Sequence, residues 1–324
     1  MIPNGDPLYL MSVMAPTAVK EIILYQYGFK NIIYCELLRS FVNDVYEIVA
    51  DNNKYILKLY RQGHRTKKEI DYEIALLRFV DSKGVKVSTP IPIADDSYVG
   101  KVEAPEGTRY FSLFNYASGS KPKKPFTDEL YVNTGRTLAN YHTVSLKFSC
   151  GYGRETYLAH DVIDNSMPLI YPYLNEKKDM IKEIVNVIGK RINEYEKYLT
   201  KVVCHGDYSL DNLHIDQNNV IEIYDFDSCG PGYAAYDLLG AYMVGKELKR
   251  WSNWTSHLDG YKEICPLNEY DLLILPELKI IYDLWGLGCN VKLWKRFSGL
   301  WQVTGYSFQN TLEEICIWYD KECK

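Results

Sequence analysis

The chain has 324 residues, of which 47% are hydrophobic and 24% charged, a composition typical of a globular protein with a sizeable core. Its formal net charge of -5 excludes the strongly basic surface of a general nucleic-acid-binding protein. The eight cysteines are scattered and form no Cys-x-x-Cys pair, which predicts free thiols in a reducing compartment and no structural zinc site. No signal peptide and no membrane-spanning apolar run are recognisable, so the sequence predicts a soluble, cytoplasmic protein with no membrane partner.

The first part of the chain predicts a helix, a strand pair and a second helix. The segment APTAVKEIILYQYGF predicts a helix that begins at Pro16, with Thr17 as its cap. The segment DVYEIVADNNKYILKLYR predicts two strands joined by a turn at residues 51–53. The segment TKKEIDYEIALLRFVDSKGV has helical spacing and predicts a helix that stops before Gly84.

A further strand and a polar linker separate this part from the rest. The segment TRYFSLFNYASGS predicts a buried strand, which runs into the Gly-, Ser-, Pro- and Lys-rich loop ASGSKPKKPFTDE. From Asp128 onward the pattern is mainly helical, interrupted by two short strands. We therefore predict an α+β fold with two domains, a small β-rich lobe over residues 1–117 and a larger, mainly helical lobe over residues 118–324.

Residues 202–230, VVCHGDYSLDNLHIDQNNVIEIYDFDSCG, place reactive residues after two short apolar runs. The residues in question are His205, Gly206, Asp207 and Asn212 after the first run, and Asp225 and Asp227 after the second. We expect the two runs to be adjacent strands, whose ends hold carboxylates rigidly. One carboxylate and one amide oxygen suit Mg²⁺, so Asn212 and Asp225 are the predicted metal ligands. Asp207 is then left to accept a proton or align a hydroxyl group.

The pattern HGDxxxxN followed by DFD resembles the aminoglycoside phosphotransferase and choline kinase family of small-molecule kinases, which includes homoserine kinase type II and amicoumacin kinase-like enzymes. That family has HGD where protein kinases have HRD, and it replaces the glycine of DFG, here by Asp227. The resemblance implies a bilobal protein-kinase-like fold, ATP and Mg²⁺ as cofactors, and Asp207 as the catalytic residue. It also implies structural roles for His205, as a packing residue, and for Asp237, which matches a family acid that braces the catalytic loop.

The N-terminal lobe offers the lysine and glutamate that such a kinase needs to hold nucleotide phosphates. Lys58 lies in the middle of the strand YILKLY, where an unpaired ammonium would be costly to bury. Glu73 shares the inward face of the following helix, and Glu69 is a second choice one turn earlier. The alternative is that Lys58 reaches solvent and Glu73 is an ordinary surface acid.

The remaining nucleotide contacts are less clearly marked in the sequence. The segment YFSLFNYASGS matches the position of a kinase hinge, so the backbone of Asn115, Tyr116 and Ala117 is predicted to bind the adenine edge. An ordinary buried strand remains the alternative. No GxGxxG loop is present; LRSFVNDVY takes its place, and Ser40 and Asn43 in this loop are predicted to cover the phosphates.

The acceptor is expected to bind after about residue 251. Aromatic residues there have broadly helical spacing and either pack in the core or form a wall for a cationic or sugar-like molecule: Tyr282, Trp285, Trp294 and Trp301. Asp283 and Asp259 could pair with an ammonium group, although they could equally be ordinary surface acids. Asp227 belongs either to the metal shell or to the acceptor site, so Asp227, Asp283 and Trp285 are the candidate substrate residues.

Together these features predict an ATP- and Mg²⁺-dependent O-phosphotransferase, monomeric or homodimeric, with a small-molecule hydroxyl acceptor. Resemblance to the family favours an amine-bearing antibiotic of aminoglycoside or amicoumacin type, whose phosphorylation confers resistance. A metabolic kinase of homoserine or choline is the alternative within the same reaction class. A stress-response Ser/Thr protein kinase is disfavoured because no activation segment is evident between Asp225 and Asp237. The intact lysine, aspartates and asparagine disfavour a pseudokinase or nucleotide-binding scaffold.

Overall fold

A computed structural model describes residues 11–247, 249–297 and 306–324. The chain forms two compact units. The first contains the residues up to 119 together with 149–153 and 222–224, and the second contains residues 120–148, 154–221 and 225–324. The domain boundary placed after residue 117 stays a prediction.

An antiparallel sheet of six strands forms most of the first unit. Its strands are β1 (Ile32–Ser40), β2 (Asp44–Ala50), β3 (Asn53–Leu59), β4 (Pro90–Ile91), β5 (Gly100–Ala104) and β6 (Gly107–Asn115). Their order is β1-β2-β3-β6-β4, and β5 pairs with β6. The predicted turn between β2 and β3 is confirmed: Asp51 and Asn52 have φ angles of 48° and 65°, which tight hairpin turns require at their two central positions.

Helical segments cover this sheet in the first unit. They are α1 (Pro16–Ala18), which continues through the turns Val19–Ile23 and Leu24–Tyr27, and α2 (Lys67–Ser82). The predicted cap Thr17 is wrong, because Thr17 lies inside α1 and Ala15 precedes the helix without a side-chain cap. The helix α2 has a reciprocal capping box between Thr66 and Glu69, and Gly84 follows its end with a φ of 88°, as predicted.

The second unit is mainly helical. Its helices are α3 (Asp128–Ser145), α4 (Ala159–Ile170), α5 (Lys178–Tyr195), α6 (Ala234–Glu247), α7 (Trp251–Lys262), α8 (Glu269–Leu273), α9 (Leu275–Phe297) and α10 (Tyr306–Trp318). The helices α3 and α7 cross closely: a Cβ atom on Gly135 would lie 1.9 Å from the His257 carbonyl oxygen, and one on Gly260 would lie 2.1 Å from that of Val132. Across the described parts of the chain, no helix combines the length and apolarity that crossing a membrane would need.

Two short sheets carry the polar loops. The strand β7 (Lys201–Cys204) pairs with β10 (Gly230–Tyr233), whereas β8 (Leu213–Ile215) pairs with β9 (Ile221–Ile223). The expectation that the two apolar runs before His205 and Asp225 are adjacent strands is therefore wrong, because each run takes a different partner. The predicted α+β class is confirmed, with an antiparallel sheet in the N-terminal part of the chain and a helical remainder.

Candidate active site

The loop that follows β7 has a backbone that requires glycine at its second position. Gly206 has a φ of 82°, in the left-handed region that residues with a side chain rarely adopt. A Cβ atom at this position would also lie 2.1 Å from the carbonyl oxygen of Ser228. Gly206 therefore lets the backbone before Asp207 turn sharply while it passes close to the segment that follows Asp225.

The buried carboxylate of Asp237 holds this loop from α6. It accepts hydrogen bonds from the backbone N–H groups of His205 (2.6 Å) and Gly206 (2.8 Å) and a contact of 2.9 Å from Nε2 of His142. On the other side of the ring, Nδ1 of His142 lies 2.7 Å from the hydroxyl of Tyr261. His142 and Tyr261 were not identified from the sequence, because both stand far from the HGD motif along the chain and neither belongs to a local pattern.

The side chain of His205 is turned into the protein. It is fully buried, its Nδ1 accepts a hydrogen bond of 3.2 Å from the Asp207 N–H, and its ring packs edge-on against Phe226 with centroids 4.5 Å apart. His205 thus fixes the backbone of the residue that follows the glycine. Its assignment as a structural residue stays a prediction.

Asp207 and Asn212 face each other across the loop. The side-chain amide nitrogen of Asn212 donates to both the backbone oxygen and Oδ2 of Asp207, each at 2.8 Å. Burial raises the pKa of Asp207, and the negative charges of Asp225 and Asp237 raise it further, against the lowering effects of His205 and the Asn212 hydrogen bond. A raised pKa makes this carboxylate a stronger base than an exposed aspartate.

The donor set around Asp207 fits a hard divalent cation. The nitrogen of the Asn212 side-chain amide is hydrogen-bonded to Asp207. The amide oxygen of Asn212 therefore points away from Asp207 and can act as a metal ligand. Asp225 adds a carboxylate from a left-handed position (φ 63°) that starts the turn Phe226–Ser228. Among the described residues no group of three or more His, Cys, Asp or Glu side chains is arranged so that these side chains alone could hold a metal ion. Two protein oxygens are nevertheless enough for Mg²⁺, which keeps water and phosphate as its other ligands.

Asp227 is buried next to this turn. Its backbone carbonyl accepts a hydrogen bond from the guanidinium of Arg154, whose Nε also donates to the carbonyl of Cys229 at 2.6 Å. Arg154, which was not predicted from the sequence, therefore stabilises the backbone that follows Asp225. The assignment of Asp227 to the substrate stays a prediction.

A cavity of about 320 Å³ in the second unit has Asp207 in its wall. Asp283 and Tyr282 also line it, together with Lys279, which pairs with Asp283. Trp285 is absent from the described residues that line this cavity; its ring packs against Tyr157 and Tyr282, with centroids 5.8 Å away in each case. Trp301 and the side chain of Trp294 lie outside the described residues.

In the first unit, Lys58 on β3 pairs with Glu73 on α2. The Lys58 Nζ lies 2.9 Å from Oε1 of Glu73, and Oε2 accepts a hydrogen bond of 3.0 Å from the Tyr60 hydroxyl. The side chains of Lys58 and Glu73 are 7% and 1% exposed. Glu69 instead belongs to the capping box of α2. The role of the pair in nucleotide binding stays a prediction.

The loop between β1 and β2 is held by a buried ionic cluster that the sequence did not reveal. Ser40 Oγ donates to Asp44 Oδ1 at 2.6 Å, and the Asn43 side-chain oxygen accepts from the Arg61 N–H at 3.1 Å. Asp44 also pairs with Arg61 (2.9 Å) and Arg109 (2.7 Å). Ser40 and Asn43 are therefore anchored to the sheet, and their predicted contact with phosphates would involve the loop backbone or rearranged side chains.

The predicted hinge residues follow the end of β6. The Asn115 N–H donates to the Thr89 carbonyl at 2.9 Å, and the Asn115 carbonyl accepts a hydrogen bond from the Ser88 hydroxyl. The Tyr116 N–H donates to the Lys54 carbonyl at 3.3 Å, and Ala117 is buried. The amide hydrogens of Asn115 and Tyr116 thus already have backbone partners, and adenine binding by this stretch stays a prediction.

Comparison with known proteins adds a family and a fold. A sequence model of the Phosphotransferase enzyme family matches residues 35–260. An uncharacterized protein of Deinococcus radiodurans is 30% identical over 288 residues, which cover 86% of this chain and 83% of that protein. An amicoumacin kinase solved with AMP-PNP, Ca²⁺ and Ami superposes with a TM-score of 0.78 at 17% identity, covering 95% of this chain and 94% of the other. A microcompartment-associated aminopropanol kinase gives a TM-score of 0.73 at 20% identity, covering 95% of each chain. The fold is therefore kinase-like.

Proposed function

The chain belongs to the Phosphotransferase enzyme family, and from this we propose that it is an ATP- and Mg²⁺-dependent kinase that phosphorylates a hydroxyl group of a small amine-bearing molecule. The observation that carries the proposal is the position of Asp207. Its carboxylate is held by Asn212 at 2.8 Å and lies in the wall of a cavity of about 320 Å³, a size at the lower end of the roughly 300–1,000 Å³ of small-molecule sites.

In the proposed reaction the acceptor hydroxyl lies against Asp207. The hydroxyl oxygen forms a bond to the terminal phosphorus of the nucleotide, the bond from that phosphorus to the departing diphosphate breaks, and the hydroxyl proton passes to the carboxylate of Asp207. Burial supports this role, because it raises the pKa of Asp207. Asn212 orients the Asp207 carboxylate, and Asp237 fixes the backbone of the preceding residue, Gly206, by a hydrogen bond.

The other assigned residues would bind rather than react. Asn212 and Asp225 would hold Mg²⁺, which neutralises phosphate charge when it is bound. Lys58, fixed by Glu73, would contact the nucleotide phosphates. Most of the catalysis would then come from positioning and from electrostatic stabilisation.

The acceptor class rests on Asp283, which lines the cavity and is paired there with Lys279. Its carboxylate can also bind an ammonium group, which both an amine-bearing antibiotic and the metabolic acceptors homoserine and choline carry. An antibiotic, whose phosphorylation would confer resistance, is thus one member of the proposed class of acceptors. Lys279, the partner of Asp283 on the cavity wall, provides a way to distinguish among these acceptors.

The test is ADP release with Mg-ATP over a panel of amine-bearing alcohols, aminoglycosides and a generic protein substrate, using Asp207→Ala and Asp207→Asn. We expect each variant to lose about 10²- to 10⁴-fold in kcat, the typical contribution of a positioned base, while a fluorescent nucleotide binds as in the parent protein. Asp211→Asn is the matched control, since Asp211 lies on the same loop with a side chain 89% exposed. Undiminished turnover by Asp207→Ala would refute the mechanism, and phosphorylation of the protein substrate alone would refute the acceptor class.

A further inference from the structure

A paired lysine and aspartate stand in the wall of the acceptor cavity. Lys279 and Asp283 are one helical turn apart on α9, their side chains form an ion pair, and only 9% and 12% of these side chains are exposed. Both residues line the cavity that contains Asp207. The Lys279 Nζ also lies 5.5 Å from the centre of the Trp318 ring, a distance at which a cation is attracted to the ring face.

The stability of α9 does not account for this pair. Lys279 is the fifth residue of the helix, far from the C-terminal turn in which the helix dipole would stabilise a positive charge. A lysine that precedes its acidic partner is also the less favourable order at this spacing. Removing both charges from water is costly, and their mutual attraction offsets that cost only in part. Burying the pair therefore costs folding free energy, and the pair lies in a cavity wall where a bound molecule can contact it.

We propose that Lys279 and Asp283 together recognise an acceptor that is zwitterionic, with the carboxylate of a hydroxy-amino acid on Lys279 and its ammonium group on Asp283. This rests on the proposed function and narrows its acceptor class. Two opposite charges side by side complement a ligand that carries two opposite charges at similar spacing, so neither protein charge is left unpaired in the bound state. A polycation would instead bring positive charge against the buried ammonium of Lys279.

Matched pairs of acceptors test this proposal directly. Serine and ethanolamine, threonine and 1-amino-2-propanol, and homoserine and 3-aminopropanol differ within each pair by one carboxylate only. We expect kcat/KM to be about ten- to hundredfold higher for the acid-bearing member of at least one pair, the range that corresponds to one charge-assisted hydrogen bond. A preference for the amino alcohol in every pair would overturn the proposal.

Two variants assign the preference to the pair. Lys279→Met removes the group that binds the carboxylate and leaves Asp283 for the ammonium, so the ratio of kcat/KM for acid over amino alcohol should fall at least about tenfold. The double variant Lys279→Met/Asp283→Asn removes both charges, leaves no buried charge unpaired, and should lose the preference as well. Lys67→Met is the matched control, because Lys67 and Asp71 form the same i,i+4 pair on α2, with the Lys67 side chain 51% exposed, and its ratio should equal that of the parent protein. An unchanged ratio in both Lys279 variants would overturn the assignment.

Calorimetry without nucleotide separates this proposal from the proposed function. One outcome is that an acid-bearing molecule binds to the parent protein, that Lys279→Met abolishes this binding, and that no phosphate is transferred to the molecule. This outcome would support the zwitterion site and refute the kinase activity. Transfer to amino alcohols or aminoglycosides only, with no binding of any acid-bearing member, would support the kinase activity and refute the zwitterion site.

Discussion

Replacing Asp237 by asparagine tests how the loop that contains His205, Gly206 and Asp207 is held. The Asp237 carboxylate accepts from two backbone N–H groups at 2.6 and 2.8 Å and contacts His142 at 2.9 Å, and the residue is only 3% exposed. Asparagine has nearly the same shape but offers one acceptor oxygen instead of two. Its amide nitrogen must therefore face a donor, and the group best placed for this is the Gly206 N–H.

The expected loss of stability follows from these contacts. Leaving one buried donor unsatisfied where a charged acceptor stood costs about 1.5–3 kcal/mol. The two remaining hydrogen bonds change from charged to neutral acceptors, which are about half as strong. Together we expect Asp237→Asn to lower the free energy of unfolding by about 3–5 kcal/mol, a large part of the roughly 5–15 kcal/mol of a typical protein.

Urea unfolding followed by tryptophan fluorescence measures this effect selectively. All 6 tryptophans stand at position 251 or later, in the second unit, so the signal reports the unit that contains Asp237. This selectivity is needed because two compact units need not unfold in one transition. We also expect kcat to fall, because a displaced loop misplaces Asp207.

A surface aspartate with the same kind of bonds provides the control. Asp216 Oδ1 accepts from the N–H groups of Asn218 (2.8 Å) and Val220 (2.9 Å) in a solvent-accessible turn, so water can replace what Asp216→Asn removes. Its unfolding midpoint should stay close to that of the parent protein. If Asp237→Asn unfolds at the same urea concentration as Asp216→Asn, the reasoning about the buried carboxylate is refuted.

Three further predictions concern the Lys58–Glu73 ion pair, Gly206 and the buried His257. Glu73→Gln removes the charge that fixes Lys58 at 2.9 Å, and we expect about tenfold weaker nucleotide binding in a fluorescence titration. Gly206→Ala places a Cβ atom 2.1 Å from the Ser228 carbonyl oxygen at a φ of 82°, so the melting temperature and kcat should both fall. Burial lowers the pKa of His257 to about 4, whereas an unfolded histidine titrates near 6.5. The unfolded state therefore binds the proton more tightly, and about 3 kcal/mol of stability present above pH 6.5 is lost as the pH falls towards 4; His257→Gln should flatten that part of the pH–stability curve.

Each of these changes has a partner variant that isolates its cause. Glu69→Gln alters the capping box of α2 and should leave nucleotide affinity unchanged. Gly84→Ala introduces the same backbone strain, at a φ of 88°, with no atom within 4 Å of the new Cβ, so its smaller effect measures strain without collision. His160→Gln removes a histidine whose side chain is 52% exposed and should keep the pH dependence of the parent. Equal effects within any pair would contradict the corresponding argument.

The features that could be predicted from the sequence are those with local periodicity. The sequence placed Lys58 in the middle of an apolar strand and Glu73 on the inward face of the next helix. The resemblance to the kinase family favoured their pairing, and these two side chains meet. The ionic cluster of Asp44, Arg61 and Arg109 could not be foreseen in this way. Its members come from three separate segments, and nothing in their sequence neighbours distinguishes them from ordinary surface charges.

The ion pair on α9 does have a pattern in the sequence. Lys279 precedes Asp283 by four residues, the spacing at which side chains meet on a helix, and the two side chains form an ion pair. The pairing of β7, the strand before His205, could not be predicted for a different reason. GPGY at β10 has the composition of a turn, so nothing marked it as the partner of β7.

Trp318 gives α10 an influence over a cavity to which it contributes no described lining residue. The centre of its ring is 4.8 Å from Nζ of Lys246 and 5.5 Å from Nζ of Lys279, and its indole nitrogen donates to the Pro276 carbonyl at 2.9 Å. Substitutions in α10 can therefore shift Lys279 while residues 205–212 keep their sequence. Under the proposed function, acceptor choice could then diverge during evolution separately from the phosphate-transfer chemistry, and a mutant library confined to α10 would be a practical starting point for redirecting it.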